Sequence, residues 1–453
     1  MELWIGAVNL GLLYAFMAMG VYISFRIYDF PDITVDGSLT TGAAVGAVLL
    51  VAGVQPLAVL PAAVAAGFLA GATTALIHTK LKINGLLAGI LVMTALYSVN
   101  LHIMGRANIP LLKEETLFSW LARLNPGLPE ELWVLVVLVA LMILFWLLVT
   151  WFLRTDLGVT MRATGDNPAM VSASGVNVDR MKLFGIALSN GLVALSGTLV
   201  AQYQGFVDIG MGIGAIVFGL ASVIIGESVL RRRALWVVVL GVIVGSVVFR
   251  LMVALALSVG LDPIDLKLIT ALFVLATLVL SRPVGGAQLL RPGRRLAVTA
   301  AIAAGAIVVL GLPLFEGGTG APPTPGSSAE SGKPLRPGQF RIGTVQIVDH
   351  QVLNDTRDAF IEELGELGYV ADQNTRFEIA NAQGDIAMLP TILDGFVQKD
   401  VDLVLTISTP ATQAAIGRIH DRPVVFATVS NPFVIDADGG LGGRGRDGEH
   451  QVD

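Results

Sequence analysis

Not one of the 453 residues is a cysteine, and that absence removes disulfides, thiolate metal sites and a lipidated N-terminal cysteine. Charge is scarce as well. Only 14% of the residues are Asp, Glu, Lys or Arg, against about 25% in an ordinary soluble domain. The five histidines are scattered with no pair at ligand spacing, so no metal centre is expected. No G-x-x-x-x-G-K-[ST] loop occurs, which leaves the chain without the usual cradle for a nucleotide's phosphates. No nucleophile–base pair suggests an enzyme, and no nucleic-acid partner is expected.

What is present is apolar. Hydrophobic residues make up 54% of the chain, and the mean hydropathy of +0.74 points to many membrane spans. Fifty-one glycines suit helices whose backbones approach closely in lipid. Candidate spans fall at Leu3–Ile23, Leu39–Val54, Leu57–Ile77, Leu86–Ile103, Leu132–Leu153, Leu183–Ala201, Ile213–Val229, Leu235–Val259, Leu266–Leu280 and Leu296–Phe315. Basic residues then set direction. Lys80 and Lys82, Arg154 with Arg162, Arg180 with Lys182, Arg231 to Arg233, and Arg282 with Arg291, Arg294 and Arg295 all fall on one side. The positive-inside rule makes that side cytoplasmic and puts both chain ends outside.

Between the fifth and sixth spans lies a short polar segment, Arg154 to Gly175, which reads as two small helices. The first starts near Asp156 and stops at Gly165. Asn167 caps the second, Pro168 takes its first position, where a missing N–H costs nothing, and Gly175 ends it. Spacing leaves two readings open: a rigid knob that transmits force from a soluble partner, or an interfacial amphipathic helix.

The residues themselves resemble a known family here. Thr155-Asp-Leu-Gly158 with Arg162-Ala-Thr-Gly-Asp-Asn-Pro168 and Gly175 is similar to the coupling loop of ABC importer permeases of the branched-chain amino acid and ribose class. Tyr28-Asp-Phe-Pro-Asp-Ile-Thr-Val-Asp-Gly-Ser38 and Gly219-Leu-Ala-Ser-Val-Ile-Ile-Gly-Glu227 resemble the same class, more closely its aromatic-amino-acid-type subgroup. The resemblance covers about residues 1–290. It implies that Asp156, Gly158, Arg162, Ala163, Thr164, Gly165, Asn167 and Pro168 dock against a separate ABC-type ATP-binding subunit. ATP would be used by that partner and no cofactor bound by this chain. It further implies a permease homodimer in the cell (inner) membrane, importing amino acids or similar small solutes.

Polar residues inside spans are costly and usually face a bundle interior or an aqueous cavity. Asn100, Asn190 and Arg250 are the candidate path residues; His102, Ser189, Asp265 and Lys267 are further polar positions. For Ser189 and Asn190 the competing reading is hydrogen-bonded glue between helices. For Arg250 it is an ion pair with another span. Asp36-Gly-Ser38 and Asp208-Ile-Gly210 each open a short, Gly-interrupted span. Such segments at matching positions of two halves are what inverted repeats produce near a transport path.

Composition shifts near residue 316. The run from Arg291 through about residue 315 reads as an anchor span or an uncleaved signal. Residues 316–338 form a Gly/Pro/Ser-rich tether. Strands alternating with helices then fill 339–435, the pattern of a small exported α/β doubly wound lobe, and 436–453 is a tail without periodicity. Ile342-Gly, Gln346-Ile-Val-Asp-His350, Asn381-Ala-Gln-Gly384 and Asp402-Leu-Val-Leu-Thr-Ile-Ser-Thr-Pro410 resemble the first lobe of substrate-binding proteins of the same transport class. That resemblance implies that His350, Thr409, Pro410, Ser430 and Asn431 face the solute. Such proteins continue into a second lobe, so this one is expected to bind weakly or not at all, and a separate full-length substrate-binding protein becomes a candidate partner. The whole reads as a polytopic α-helical membrane bundle of about nine permease spans plus one anchor, followed by the lobe. A membrane-anchored solute sensor and a non-functional truncated fusion are the alternatives.

Overall fold

The computed structural model describes residues 2–123, 127, 129–230, 234–258, 340–371 and 373–429. The ninth span, the anchor, the tether, the tail, and the residues Asp265, Lys267, Ser430 and Asn431 lie outside them.

The first eight expected spans all form helices. They are α1 (Glu2–Val21), α2 (Thr34–Val51), α3 (Pro56–Lys80), α4 (Gly85–Met104), α6 (Glu130–Phe152), α9 (Val178–Gln204), α10 (Ala215–Val229) and α11 (Leu235–Ser258). Seven of the described helices are long and apolar enough to cross a membrane, and α10 is shorter. Between them lie α5 (Leu117–Ala122), α7 (Asp156–Asp166), α8 (Pro168–Ala173) and a two-stranded antiparallel ribbon of β1 (Asn108–Pro110) and β2 (Phe206–Asp208).

Boundaries moved for local chemical reasons. A π-helical turn, Tyr22–Ile27, prolongs α1 past the expected Ile23. α2 starts five residues before the expected Leu39, at Thr34, whose N–H donates to the Asp32 carboxylate. α4 and α9 are capped by Asn84 and Asn177, whose side-chain oxygens accept backbone N–H groups.

Burial divides the bundle. α1 and α9 are sheathed by other helices, whereas α3, α4 and α6 leave most of their surface bare. Leu69, Leu87, Leu144 and Trp151 stand exposed there, the apolar coat a bilayer would cover. Hydroxyls stitch the sheathed helices together: Ser189 donates to the Gly20 carbonyl, Ser196 to Leu13 and Ser246 to Gly11. Where there is no water, such donors must find backbone oxygens on a neighbour. The order of these contacts makes α9 and α11 antiparallel to α1. α2 runs with α9, since residues 38, 42 and 46 meet 190, 194 and 198 in turn. α10 opposes α11 through Ser222 on Gly245 and Gly226 on Gly241. Thus α2 and α10 run in opposite directions.

The C-terminal region is a parallel four-stranded sheet in the order β4-β3-β5-β6, with β3 Phe340–Gln346, β4 Thr375–Asn381, β5 Leu403–Ile407 and β6 Val424–Ala427. Its helices are α12 (Gln351–Glu366), α13 (Leu389–Gln398) and α14 (Thr409–Ile416). A 3₁₀ turn, Ile386–Met388, leads directly into α13. Phe396 packs over Gly343, and Val345, Val404, Ile407, Ile392 and Leu393 complete the core.

This lobe sits on the end of the bundle where α1 begins and α9 finishes. Asp394 reaches Gly6, Gly417 lies against Leu112, and the Arg418 guanidinium covers the Tyr203 ring at 5.2 Å. α7 and α8 are at the opposite end.

Candidate functional site

At the α7 end, Asn167 makes its expected cap and Thr155 supplies a further one. The Thr155 hydroxyl accepts from the Gly158 N–H, and Asn167 Oδ1 accepts from the Met170 N–H at 3.0 Å, with Pro168 at the first position of α8. Gly175 closes the segment with φ +85°, a left-handed conformation that glycine takes at no steric cost. α7 is pressed onto the π-helical turn: a Cβ at Gly165 would run into the Ile27 carbonyl oxygen. Thr164 is buried, Asp156, Asn167 and Pro168 are exposed, and Arg162 and Ala163 are half-buried. The sequence reading missed Met170, which is 68% exposed on the outer face of α8. It also missed Arg26 and Glu227, joined at 2.6 Å between the π-helical turn and the end of α10.

Deeper in, α2 and α10 begin against one another. The Asp36 carboxylate, in the first turn of α2, accepts from the Gly214 and Ile216 N–H groups at 2.9 and 2.8 Å. A carboxylate of one helix therefore caps the N-terminus of the other. Asn100 touches the same junction, its Nδ2 donating to the Gly37 carbonyl at 3.3 Å while its buried Oδ1 has no partner. Asn190 is wholly occupied. Its Nδ2 donates to Asp32 at 2.6 Å and to the Ile186 carbonyl, and its Oδ1 accepts from Ser38 at 2.7 Å. Asp32 is the buried carboxylate that the sequence reading overlooked, because an Asp between Pro31 and a span looks like an ordinary turn residue.

Towards the lobe end, Arg250 is 5% exposed, with its guanidinium 4.4 Å from the Tyr14 ring centre and 4.9 Å from that of Phe218. No ion pair among the described residues includes it. Asn9 Oδ1, Gln202 Nε2 and Gln204 Nε2, at the same end, are likewise buried and unpartnered. Asp208 stands at the ribbon, where burial pushes its carboxyl up against the hydrogen bonds from Gly210 and Asn108. A separate cavity of about 620 Å³, lined by Leu60, Phe68, Leu141, Phe145 and other apolar side chains, offers nothing to a polar solute.

In the lobe, His350 and Thr409-Pro410 both follow carboxyl ends of parallel strands, β3 and β5, where ligands of such sheets bind. His350 is exposed, and its Nδ1 accepts from the Val352 N–H at 3.4 Å, capping α12. Gln346 Oε1 and Ser408 Oγ at the same edge are buried without partners. Asp394 and Arg418 form an ion pair at 2.8 Å. Burial opposes the Arg418 charge, but Asp394 and Tyr203 beside it outweigh that and hold the guanidinium protonated beyond its usual range.

Residues 4–280 match the family described as the branched-chain amino acid transport system / permease component. The chain belongs to that permease family. A second match, to ABC transporter substrate-binding proteins, covers residues 341–437, so the permease carries a substrate-binding domain fused behind it. Over 274 residues the permease is 41% identical to a tyrosine transport system permease protein of Clostridioides difficile (strain R20291), across 60% of this chain and 90% of that one. The lobe region is 34% identical over 126 residues to a tyrosine-binding protein of the same strain, covering 27% of this chain and 36% of that protein. The ribose import permease protein RbsC of Escherichia coli (strain K12) is 26% identical over 219 residues, covering 47% and 65% respectively. These relatives are transport components rather than enzymes, and the permease is a multi-span membrane protein.

Proposed function

We propose that this permease is the membrane subunit of an importer for an aromatic amino acid or a similar small solute, driven by ATP hydrolysis on a separate subunit. The observation that carries this reading is the α7–α8 knob: doubly capped, seated on the π-helical turn through Gly165, and presenting Met170, Asn167 and Pro168 outward. A rigid projection braced against spanning helices can pass displacement into them, whereas an interfacial helix needs no such brace. Asp156, Gly158, Arg162, Ala163, Thr164, Gly165, Asn167 and Pro168 then form the docking element. The ATP stays on the partner.

In this reading the α7 end is cytoplasmic, consistent with Arg154, Arg162, Arg180 and Lys182 around it. The lobe, at the other end, is extracytoplasmic. Two copies assemble around two ATP-binding subunits, each with nine permease spans and an anchor span leading to a doubly wound lobe. The α2–α10 junction and Asn100 lie along the path. The lobe's strand edge, with His350, Thr409 and Pro410, meets solute beside a full-length substrate-binding protein, and Ser430 and Asn431 are proposed to contact the same solute. Domain limits of 1–290, 291–315, 316–338, 339–435 and 436–453 belong to the same proposal. The solute class rests on relatives named for tyrosine.

The test is co-purification of the chain with the ATP-binding subunit, repeated with Arg162→Glu and with residues 156–175 deleted. Loss of the subunit in both variants is expected. Retention in both would sink the docking assignment.

A further inference from the structure

A buried arginine needs a reason. Charge inside an apolar bundle is stable only when opposite charge or several acceptors surround it. Arg250 lies eight residues before the end of α11 at Ser258, on the lobe side of the bundle. Tyr14 and Phe218 cover its guanidinium with their rings. Besides the Tyr14 hydroxyl on α1, its acceptor lies off the spanning helices. Nη1 donates to the carbonyl of Ala387, in the lobe, at 3.4 Å, and Nε is buried with no partner. Asp385 Oδ1 accepts from the Ala387 N–H at 3.1 Å, so the same turn carries a carboxylate to this place. That carboxylate is near enough for its charge to act on Tyr14.

A structural arginine would be satisfied by its own bundle. This one meets the Tyr14 hydroxyl within the bundle and a carbonyl of a separate domain through a long hydrogen bond, and its buried Nε is still unused. The guanidinium fork matches a carboxylate bidentately. Aromatic faces fix its plane while leaving its edge free. Asn9 Oδ1, Gln202 Nε2 and Gln204 Nε2, buried without partners at this end of the bundle, suit a hydrated approach to it.

We propose that Arg250 is the carboxylate receptor of the permease's solute path, and that the Asp385–Ala387 turn of the lobe covers it until solute arrives. The inference rests on the permease reading above and adds the chemical group that is recognised. A zwitterionic or anionic amino acid would displace the turn, taking over the Nη1 donor and adding the unused Nε. A neutral sugar offers it hydroxyl acceptors but no charge to pair with.

The experiment uses the full chain with its ATP-binding subunit in proteoliposomes, measuring uptake of labelled L-tyrosine. Two competitors each lack one group: 3-(4-hydroxyphenyl)propionate keeps the carboxylate, and tyramine keeps the amine. Competition by the first and not the second is expected, and this arm needs only the wild-type chain. Arg250→Gln is expected to lower tyrosine uptake at least about tenfold, with Arg250→Lys retaining part of it. Because the chain has no cysteine, the pair Gly6→Cys with Asp394→Cys also reports lobe docking by cross-linking. Tyrosine should slow that cross-link, and Arg250→Gln should remove the slowing. Equal competition by tyramine, or wild-type uptake by Arg250→Gln, overturns the inference and leaves the permease reading standing. So does ATP-driven uptake of labelled D-ribose but not of tyrosine. Absence of ATP-driven uptake of either solute overturns both.

Discussion

The two ends of the bundle treat polar groups differently. At the α7 end most hydrogen-bonding groups are spent on structure: Thr155 and Asn167 cap helices, the Tyr28 hydroxyl donates to the Met181 carbonyl at 2.7 Å, and Arg26 pairs with Glu227. At the lobe end Asn9, Gln202, Gln204 and Arg250 keep buried atoms without partners. The exceptions at the α7 end are Arg162 Nε and Thr150 Oγ1, and an end otherwise so fully paired is stiff and suits transmission. An unsaturated end has capacity to give to water or solute, since leaving it unused is costly. On that contrast, force enters at one end and recognition occurs at the other.

The sharpest way to break the contrast is at the brace itself. Gly165→Val would drive a side chain into the Ile27 carbonyl, a backbone atom that cannot swing away. α7 must lift off the π-helical turn, and ATP-driven uptake should fall below detection although both subunits are made. Uptake near the wild-type rate would show that α7 needs no seat. Next comes the buried network between the two ends. Asn190→Leu strands Asp32 Oδ2 and the Ser38 hydroxyl, both on buried residues, and should destabilise the bundle by about 3 kcal/mol. Thermal unfolding in detergent reads this, and an unchanged midpoint would mean that the Thr34 N–H, which donates to Asp32 Oδ1, is enough for the carboxylate. Met170→Glu should leave unfolding untouched, because the side chain is exposed. It should weaken capture of the ATP-binding subunit by about tenfold, measured by titration. Unaltered affinity would move the docking face elsewhere on the knob.

Much of this was legible in the chain. Local signals sufficed for α7 and α8, because Thr155, Asn167, Pro168 and Gly175 act within a few residues of themselves. The eight described spans were legible because twenty apolar residues have few alternatives. Helix faces were not. α1 and α6 are apolar all round, so no stripe says that α1 is enclosed and α6 is bare. Asp36 on the α10 N-terminus is a contact 178 residues apart, and Arg250 beneath Ala387 spans 137. Such pairings arise from packing in three dimensions, which periodicity does not encode. Asn190 shows the reverse: as a polar residue in a span it looked like path, yet every hydrogen-bonding group it has is committed to Asp32, Ser38 and Ile186.

The smallest effect should come from the most visible ion pair at the α7 end. Arg26 and Glu227 lie 2.6 Å apart, but their side chains are 60% and 35% exposed. Solvent screens such a pair, and ordering two long side chains offsets much of the attraction, so it contributes at most about 1 kcal/mol. Glu227→Gln should therefore shift unfolding barely and less so as salt is raised. If instead uptake collapses while unfolding holds, the pair has a role beyond stability. It joins the turn that seats α7 to the end of α10, whose other end Asp36 caps, so its loss would then cut the link between the knob and the α2–α10 junction.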